Sequence, residues 1–244
     1  MSKLEPMGPH PAYGADIEAR RRFTRRMFDS SAPDYDRVDR LFAFGSGSWY
    51  RRQALQRGGL APGMRMLDVA VGTGLVAREA LPIVGAAGSV VGIDPSAGML
   101  AQSEAHGLTL ARGRAEALPF AARSFDFLCL GYALRHLADL HAVFGEFRRV
   151  LRPGGRLLVL EITRPAGRLA AAALKAYMRG LLPALARLVA RSSDTPELYR
   201  YYWDTIEASV PPARIMASMA AAGFTGAARR ASLGIFSEYS ARAG

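Results

Sequence analysis

The sequence predicts an α/β protein built on a doubly wound, parallel β-sheet. Short apolar runs that adjoin Gly, Pro or Asp are typical of buried strands, and stretches with helical periodicity separate them, so strand and helix alternate as in βαβ units. The chain has 244 residues, of which 50% are hydrophobic, which is enough for a full core without disulfides or a structural metal. Disordered and fibrous classes are excluded.

The predicted elements follow in order along the chain. The N-terminal flank has two helices, Ile17–Phe28 and Ser48–Arg57. Four buried strands come next, which are Met64–Val69, Ser89–Ile93, Phe125–Gly131 and Arg156–Ile162. The helices between them are Leu75–Val84, Ser96–Ala105 and Leu137–Leu151. The C-terminal flank has a helix over Leu169–Val189 interrupted at Pro183, a helix over Pro211–Ala222, and two strands, Thr225–Ser232 and Ile235–Ser240.

Composition restricts the location and the partners of the protein. The single cysteine, Cys129, has no partner for a disulfide, the N-terminus has no apolar leader, and the longest uncharged runs are too short to cross a bilayer, so we expect a cytoplasmic protein. No residues have the spacing of metal ligands, so no metal is expected. The formal net charge of +11 raises the alternative of nucleic-acid binding. Because the core has no basic cluster or stacking platform, no nucleic-acid partner is expected.

The sharpest local feature is a strand that ends in a Gly-x-Gly turn and opens a helix, from Leu67 to Gly74. Glycines are required there because a side chain would block the approach of a cofactor to the backbone. Asp94 stands at the end of the next strand, where a carboxylate accepts hydrogen bonds from both hydroxyls of a ribose. The combination predicts a nucleoside-type cofactor.

The residues around this turn favour S-adenosylmethionine (SAM) over a dinucleotide. A dinucleotide fingerprint requires a third glycine near Ala77 and holds a pyrophosphate at the helix N-terminus. Here Asp68 precedes the glycines, and a carboxylate attracts the cationic amino-acid part of SAM but repels phosphate. The alternative, a tight turn at Gly72 and Gly74 without a ligand, leaves Asp68 and Asp94 unexplained.

Several motifs resemble those of the class I SAM-dependent methyltransferases. They are Asp68–Gly74, Gly88–Asp94, Ala115–Phe120, Ser124–Asp126 and Arg149–Leu157. Further segments narrow the resemblance to the UbiE-type C-methyltransferases, which methylate a ring carbon of the polyprenylated quinol precursors of menaquinone and ubiquinone. These segments are Met27–Asp29, Ala32–Asp36, Gly131–His136 and Leu160–Glu161. The resemblance extends from about Arg20 to Tyr239.

The resemblance implies an architecture for the whole chain. We expect a seven-stranded, mostly parallel sheet in a single methyltransferase domain over residues 16–244, after a disordered tail, 1–15. Within the domain, 16–60 would form a helical cap, 61–163 the SAM-binding core, 164–210 a lid that contacts the substrate, and 211–244 a helix and two strands. A homodimer is also expected.

The resemblance also implies a set of site residues. Those expected to bind SAM are Asp68, Ala70, Gly72, Thr73, Gly74, Asp94, Pro95, Met99, Ala115, Glu116 and Gly131. Tyr132 and Glu161 are expected to contact a small aromatic or polyprenylated quinol substrate. Arg135, His136 and Tyr35 are expected to be catalytic.

The chain departs from the family pattern at several positions. Arg114 stands where the family has an Asp that accepts the adenine amino group, so Glu116 or the backbone of Ala115 would have to replace it. His136 stands where the family has Asn, and Glu238 lies in a tail that usually contains His. These differences leave open a SAM-dependent C- or O-methyltransferase of secondary metabolism, and a non-catalytic protein that binds another ligand.

Ring methylation requires a phenolate next to the accepting carbon, with that carbon about 3 Å from the sulfonium methyl. Arg135 suits stabilisation of the phenolate because a guanidinium stays charged and offers five donors, but for the same reason it cannot be the base. We expect His136 to accept the proton directly or through water. The alternatives are that His136 packs or caps a helix, that Tyr35 is a buried aromatic, and that Glu161 caps a strand.

The segment 164–191 has six basic residues and no acidic ones. On a helical projection Arg164, Arg168, Lys175 and Arg179 share one face and apolar residues share another, a pattern typical of a helix that lies on a membrane surface. An acceptor dissolved in the bilayer would explain such peripheral contact. The alternative is a solvated face on a helix that packs against the core.

Overall fold

The computed structural model describes residues 16–42, 45–104, 106–189 and 195–244, so the predicted tail, the end of the predicted helix at Ala105, and Arg191 lie outside the described residues. The strands are β1 (Arg65–Val69), β2 (Ser89–Asp94), β3 (Thr109–Arg112), β4 (Phe125–Gly131), β5 (Leu151–Ile162), β6 (Phe224–Ser232) and β7 (Phe236–Ala243). The helices are α1 (Ile17–Phe42), α2 (Ser46–Gly58), α3 (Leu75–Val84), α4 (Ala97–Glu104), α5 (Leu140–Val150), α6 (Arg168–Ala176), α7 (Leu182–Val189), α8 (Thr195–Glu207) and α9 (Pro212–Ala221). Two short turns complete the elements, a 3₁₀ turn at Leu134–His136 and a π-helical turn at Tyr177–Leu181.

The seven strands form one sheet in the order β3-β2-β1-β4-β5-β7-β6, in which β7 runs antiparallel to both of its neighbours. This confirms the predicted doubly wound, mostly parallel sheet. The strand order reverses between β1 and β4, which is where open α/β sheets bind ligands beyond the carboxyl ends of their strands. The carboxyl ends of β1, β2, β4 and β5 therefore lie at the same edge of the sheet.

Successive side chains in the central strands alternate between two cores. Leu128 and Leu130 of β4 pack with α5 and α9 on one face, whereas Phe127 and Cys129 pack with α2, α3 and α4 on the other. A third cluster joins α1, α7 and α8 through residues such as Met27, which is 6% exposed. We call α1 and the helices α6 to α8 the helical cover.

The flanks differ from the sequence predictions more than the sheet does. α1 continues well beyond Phe28 and contains Pro33, and α8 was not predicted at all. The short strand β3 was also missed, since four residues carry little periodicity. Near the predicted interruption at Pro183, the structure has the π-helical turn just before α7, and such a widened turn accommodates a residue without a backbone N–H.

One helical stretch among the described residues, Arg168–Arg187, is long and apolar enough to cross a membrane by length and composition, with a mean hydropathy of 1.2. Of the 18-residue window with this hydropathy, 28% is buried inside the protein. Met178 and Leu182 of this stretch pack in the third cluster together with α8.

Candidate active site

Two adjoining cavities lie at the carboxyl ends of the parallel strands. The small cavity, of 240 Å³, is bounded by the ends of β1, β2 and β4 and is covered by α1. The large cavity, of 660 Å³, lies between the ends of β1 and β4, α2, the helical cover and the turn that joins β6 to β7. Some residues line both cavities, and we call them the junction: Tyr35, Ala70, Gly72, Gly131, Tyr132 and Tyr202.

The two glycines of the predicted turn serve different purposes. Gly72 has φ of +57°, and a Cβ added there would meet no atom of the described residues within 4 Å, so the space over its backbone is open. Gly74 has φ of +88°, and a Cβ there would lie 2.6 Å from Cδ1 of Leu108. The first glycine therefore leaves room for a ligand, and the second allows the loop to pack on the core.

We expect Gly72→Ala and Gly74→Ala to separate binding from stability. Gly72→Ala should weaken cofactor binding roughly tenfold, because the methyl group fills the open space, and should cost only about 1 kcal/mol of folding free energy for the left-handed backbone. Gly74→Ala adds a collision with Leu108 and should lower the melting temperature more. Calorimetric titration and thermal unfolding check both. Equal stability losses in the two variants would contradict this division.

Asp94 stands at the end of β2 and lines the small cavity. Its carboxylate accepts hydrogen bonds from the backbone N–H of Gly72 at 2.9 Å and of Ser96 at 2.8 Å, which holds the glycine turn against β2. Burial raises the pKa of Asp94 to about 6, although these hydrogen bonds oppose the shift. Each carboxylate oxygen can accept a second hydrogen bond, which fits the two hydroxyls of a ribose.

Asp68 lies beneath the glycine turn and lines neither cavity. It is 1% exposed, and within the described parts of the chain neither carboxylate oxygen has a hydrogen-bond partner. Burial, reinforced by the negative charge of Asp94, raises the pKa of Asp68 to about 8, although the backbone N–H of Ala77 opposes the shift. Ionisation of this buried carboxyl is unfavourable, and a cationic ligand above the turn offsets that cost, so this residue fits the charge of SAM.

α1 is attached to the cofactor side of the sheet by two aspartates, neither of which was predicted as a site residue. Asp29 accepts hydrogen bonds from the Ser96 hydroxyl at 2.6 Å and from the Gly98 N–H at 2.9 Å. Asp36 accepts one from the Thr73 hydroxyl and pairs with Arg78 at 2.5 Å. Asp29 and Asp36 lie about two helical turns apart, and this spacing indicates from the sequence that they share a face of the helix. These contacts hold α1 over the small cavity.

The predicted adenine end of the site combines basic and acidic side chains. Arg114, Ala115 and Glu116 all line the small cavity. Oε1 of Glu116 accepts a hydrogen bond from the N–H of Ala138 at 3.2 Å and contacts Arg21 at 3.3 Å. The predicted replacement of the family Asp by Glu116 or Ala115 is therefore compatible with their positions.

The small cavity brings most of the predicted SAM residues together. Those that line it are Ala70, Gly72, Asp94, Pro95, Met99, Ala115, Glu116 and Gly131. Three do not: Asp68 lies beneath the turn, Gly74 packs on the core, and Thr73 lines the large cavity. Some residues of α1 that were not predicted as site residues also line the small cavity, among them Thr24 and Phe28.

Arg135 is buried at the large cavity and is held from several sides. Its Nη1 donates to Glu161 and to the carbonyl of Tyr132 at 2.8 Å, and its Nε donates to Oγ1 of Thr205 at 3.1 Å. Burial lowers the pKa of Arg135, but the Glu161 carboxylate and nearby tyrosines outweigh that effect and raise it above its ordinary value. Arg135 therefore stays a cation, and its Nη2 has no hydrogen bond to the described residues.

Glu161 does not occupy the position expected for a substrate contact. It is 2% exposed and lines neither cavity. Its oxygens accept hydrogen bonds from the side chain and the N–H of Arg135 and from the N–H of Ile162. Because those donors already occupy the carboxylate, its position indicates that Glu161 orients Arg135. Tyr132 and Tyr35, in contrast, both lie at the junction.

His136 lines the small cavity rather than the large one. Its ring stacks on Tyr201, with centroids 5.2 Å apart, and Nδ1 lies 2.9 Å from the Tyr201 hydroxyl. Burial, with the positive charges of Arg135 and Arg20, lowers the pKa of His136 well below its ordinary value. This position favours the alternative of a packed histidine over the predicted base.

The large cavity has a mainly apolar and aromatic lining. Tyr50, Tyr199, Leu174, Met178 and Leu182 contribute to it. The residues of α2 and α8 that line this cavity were not predicted, because no local motif in the sequence marks them. Near the tail, Arg57 lines the cavity and pairs at 2.7 Å with the buried Glu238, the residue that departs from the family pattern.

Comparison with known proteins identifies the family. The family model of the ubiE/COQ5 methyltransferases matches residues 16–239. The ubiquinone/menaquinone biosynthesis C-methyltransferase UbiE of Hahella chejuensis is 36% identical over 189 residues, which are 74% of this chain and 75% of that protein. The demethylmenaquinone methyltransferase of Mycolicibacterium paratuberculosis is 34% identical over 213 residues, 87% of this chain and 90% of that protein.

Solved structures support the fold at lower identity. Phosphoethanolamine N-methyltransferase 2 of Haemonchus contortus, in complex with SAM, has a TM-score of 0.64 at 19% identity, over 96% of this chain and 61% of that one. A SAM-dependent methyltransferase of Thermotoga maritima has a TM-score of 0.63 at 20% identity, over 90% and 99% of the two chains. Because the family model matches most of the chain, the chain belongs to the ubiE/COQ5 methyltransferase family and uses SAM as its methyl donor.

Proposed function

We propose that the chain methylates a ring carbon of a quinol-type aromatic whose apolar tail occupies the large cavity. The observation that carries this proposal is the apolar 660 Å³ cavity that meets the small cavity at the junction, with the buried cation Arg135 in its wall. SAM supplies the methyl group when it is bound in the small cavity. The names of the relatives, which refer to menaquinone and ubiquinone biosynthesis, support the same acceptor class.

The protein residues supply charge and orientation for this reaction. Arg135 stabilises an ionised phenol oxygen on the acceptor, which raises the electron density at the neighbouring ring carbon. Tyr35 and Tyr132, at the junction, keep the ring over the methyl position and exclude water. Transfer leaves S-adenosylhomocysteine, and the methylated ring carbon would then lose its proton to solvent, which restores the aromatic quinol.

Methyl transfer from isotope-labelled SAM to reduced demethylmenaquinone and to ubiquinol-type analogues tests the proposal. We expect a label on a ring carbon, located by fragmentation in mass spectrometry. A label on oxygen would contradict C-methylation. Intact SAM binding without any transfer would contradict the quinol acceptor and favour a small-molecule acceptor of secondary metabolism.

We also propose that the mouth of the large cavity contacts a membrane surface, from which the acceptor enters. Trp49 is 65% exposed and Leu233 is 88% exposed, and both line this cavity. Leu169 and Leu181 are exposed on the neighbouring segment of the helical cover. Large exposed apolar side chains around one opening are typical of a membrane-contacting face.

The basic face predicted for 164–191 contributes less free charge than its composition indicates. Lys175 lies 3.9 Å from Glu207, and Arg179 lies 3.7 Å from Asp204. We therefore expect the double variant Trp49→Ser/Leu233→Ser to lose more binding to anionic liposomes than a charge reversal at Arg168, Lys175 and Arg179. Co-sedimentation measures both. An absence of binding by the parent chain, or unchanged binding by both variants, would contradict membrane contact.

A further inference from the structure

Tyr202 of α8 lies where the two cavities meet and contacts both Arg135 and Tyr35. It is 8% exposed and is a junction residue. The guanidinium carbon of Arg135 lies 4.9 Å from the centre of its ring, and its hydroxyl donates a hydrogen bond to the hydroxyl of Tyr35 at 3.2 Å. One side chain thus connects Arg135 with Tyr35.

The ring of Tyr202 and the hydroxyl of Thr205 together fix the plane of the Arg135 guanidinium. Thr205 donates its proton to the carbonyl of Tyr202 at 2.9 Å, so its oxygen accepts from Nε of Arg135. The two residues are three positions apart and share a face of α8. With Nε and Nη1 engaged and one face on an aromatic ring, Nη2 is the donor that remains for a ligand.

The hydrogen bond between the two tyrosines also sets the direction of the Tyr35 hydroxyl. A hydroxyl has one proton, and Tyr202 uses its own to donate to Tyr35. Tyr35 has no acceptor for its proton among the described residues, so that proton is available at the junction. The arrangement leaves two donors, one on Arg135 and one on Tyr35, and both residues line the large cavity.

We propose that Tyr202 is a positioning residue that orients the free donors of Arg135 and Tyr35 toward one ionised oxygen of the acceptor. The inference rests on the proposed function, since it concerns the phenolate of that reaction. It predicts that the ring and the hydroxyl of Tyr202 make separable contributions. The ring orients Arg135, and the hydroxyl orients Tyr35.

The test uses the full chain and three variants. Tyr202→Phe keeps the ring and removes the hydroxyl, and Tyr202→Leu removes both. Trp203→Phe is the matched control, since Trp203 is the adjacent residue of α8, is buried, and lines neither cavity. The ionisation of 4-nitrophenol, which is visible by its absorbance, is titrated on each protein saturated with S-adenosylhomocysteine, so the readout does not depend on quinol turnover.

We expect the parent chain to lower the pKa of bound 4-nitrophenol by about one unit. Tyr202→Phe should keep part of that shift, Tyr202→Leu should abolish it, and Trp203→Phe should retain it. Turnover of the quinol at saturating SAM should fall roughly 5-fold and roughly 100-fold in the first two variants.

An unshifted probe in the parent chain, a full shift in Tyr202→Leu, or an equal loss in Trp203→Phe would each overturn the inference. If the pKa shift of bound 4-nitrophenol depends on Tyr202 but the parent chain does not methylate the quinol, the positioning role is supported and the proposed acceptor is overturned. The two failures are therefore distinguishable.

Discussion

Replacement of Arg135 by Ala should lower kcat for methyl transfer about a thousandfold while cofactor affinity stays the same. The guanidinium is a buried cation in the wall of the large cavity, and loss of such a charge beside a developing phenolate costs about 4 kcal/mol of transition-state stabilisation. The variant should also shift the pH dependence of kcat upward, because the acceptor phenol then ionises at higher pH. Steady-state kinetics with calorimetric SAM titration measures both effects.

The Arg135 variant needs a test of folding, because it leaves Glu161 buried without its cationic partner, a change that typically costs about 3 to 5 kcal/mol. Glu161→Gln is the second variant, since it keeps the guanidinium but loosens its orientation, and kcat should fall about tenfold. Arg152→Ala is the control, because this exposed arginine pairs with Asp126 far from the cavities, and its kcat should stay within about twofold of the parent. A folded Arg135→Ala protein with kcat near that of the parent would contradict the assigned role.

Replacement of Asp94 by Asn should weaken SAM binding about a hundredfold. The amide presents a donor where the carboxylate accepts hydrogen bonds from Gly72 and Ser96, and it loses one acceptor for the ribose; two charge-assisted hydrogen bonds correspond to about 3 kcal/mol. The dissociation constant from calorimetry checks this. Asp126→Asn, at a half-buried aspartate that lines neither cavity, should leave the constant unchanged.

The same carboxylate gives SAM affinity a pH dependence. Burial raises the pKa of Asp94 to about 6, so the group that accepts the ribose hydrogen bonds is ionised above that pH and protonated below it. The contribution of Asp94 to affinity should therefore be nearly constant at higher pH and should fall by up to about tenfold per unit as the pH drops below 6. In Asp94→Asn that slope should disappear. A slope that persists unchanged would assign the titration to another group.

The parts of the site that follow a local motif were predictable from the sequence. The Gly72 turn and Asp94 lie within or directly after strands, where short-range pattern fixes both the element and the direction of its end. Arg135, which follows β4, reached the cavity for the same reason. Its partner Glu161 was predicted at the correct strand end but with a different function, because sequence does not show which acceptors a carboxylate has already filled.

The helical cover was less predictable because its contacts join distant parts of the chain. Thr205 and Tyr202 meet Arg135 about seventy positions away, and nothing in the α8 sequence marks them as partners of that residue. Asp36 reaches across to Thr73 in the same manner. Helical periodicity predicts which faces of such helices are apolar, but not the residues that they approach.

The attachment of α1 has a consequence for the rate of each catalytic cycle. Under the proposed function, spent cofactor occupies the small cavity beneath a helix that is fastened by Asp29 to the start of α4 and by Asp36 to the glycine turn. We expect those contacts to slow its departure, which would give cofactor exchange an activation barrier of its own, separate from that of the chemistry. Two carboxylates outside the reacting centre would then lengthen the dwell time of the cofactor product.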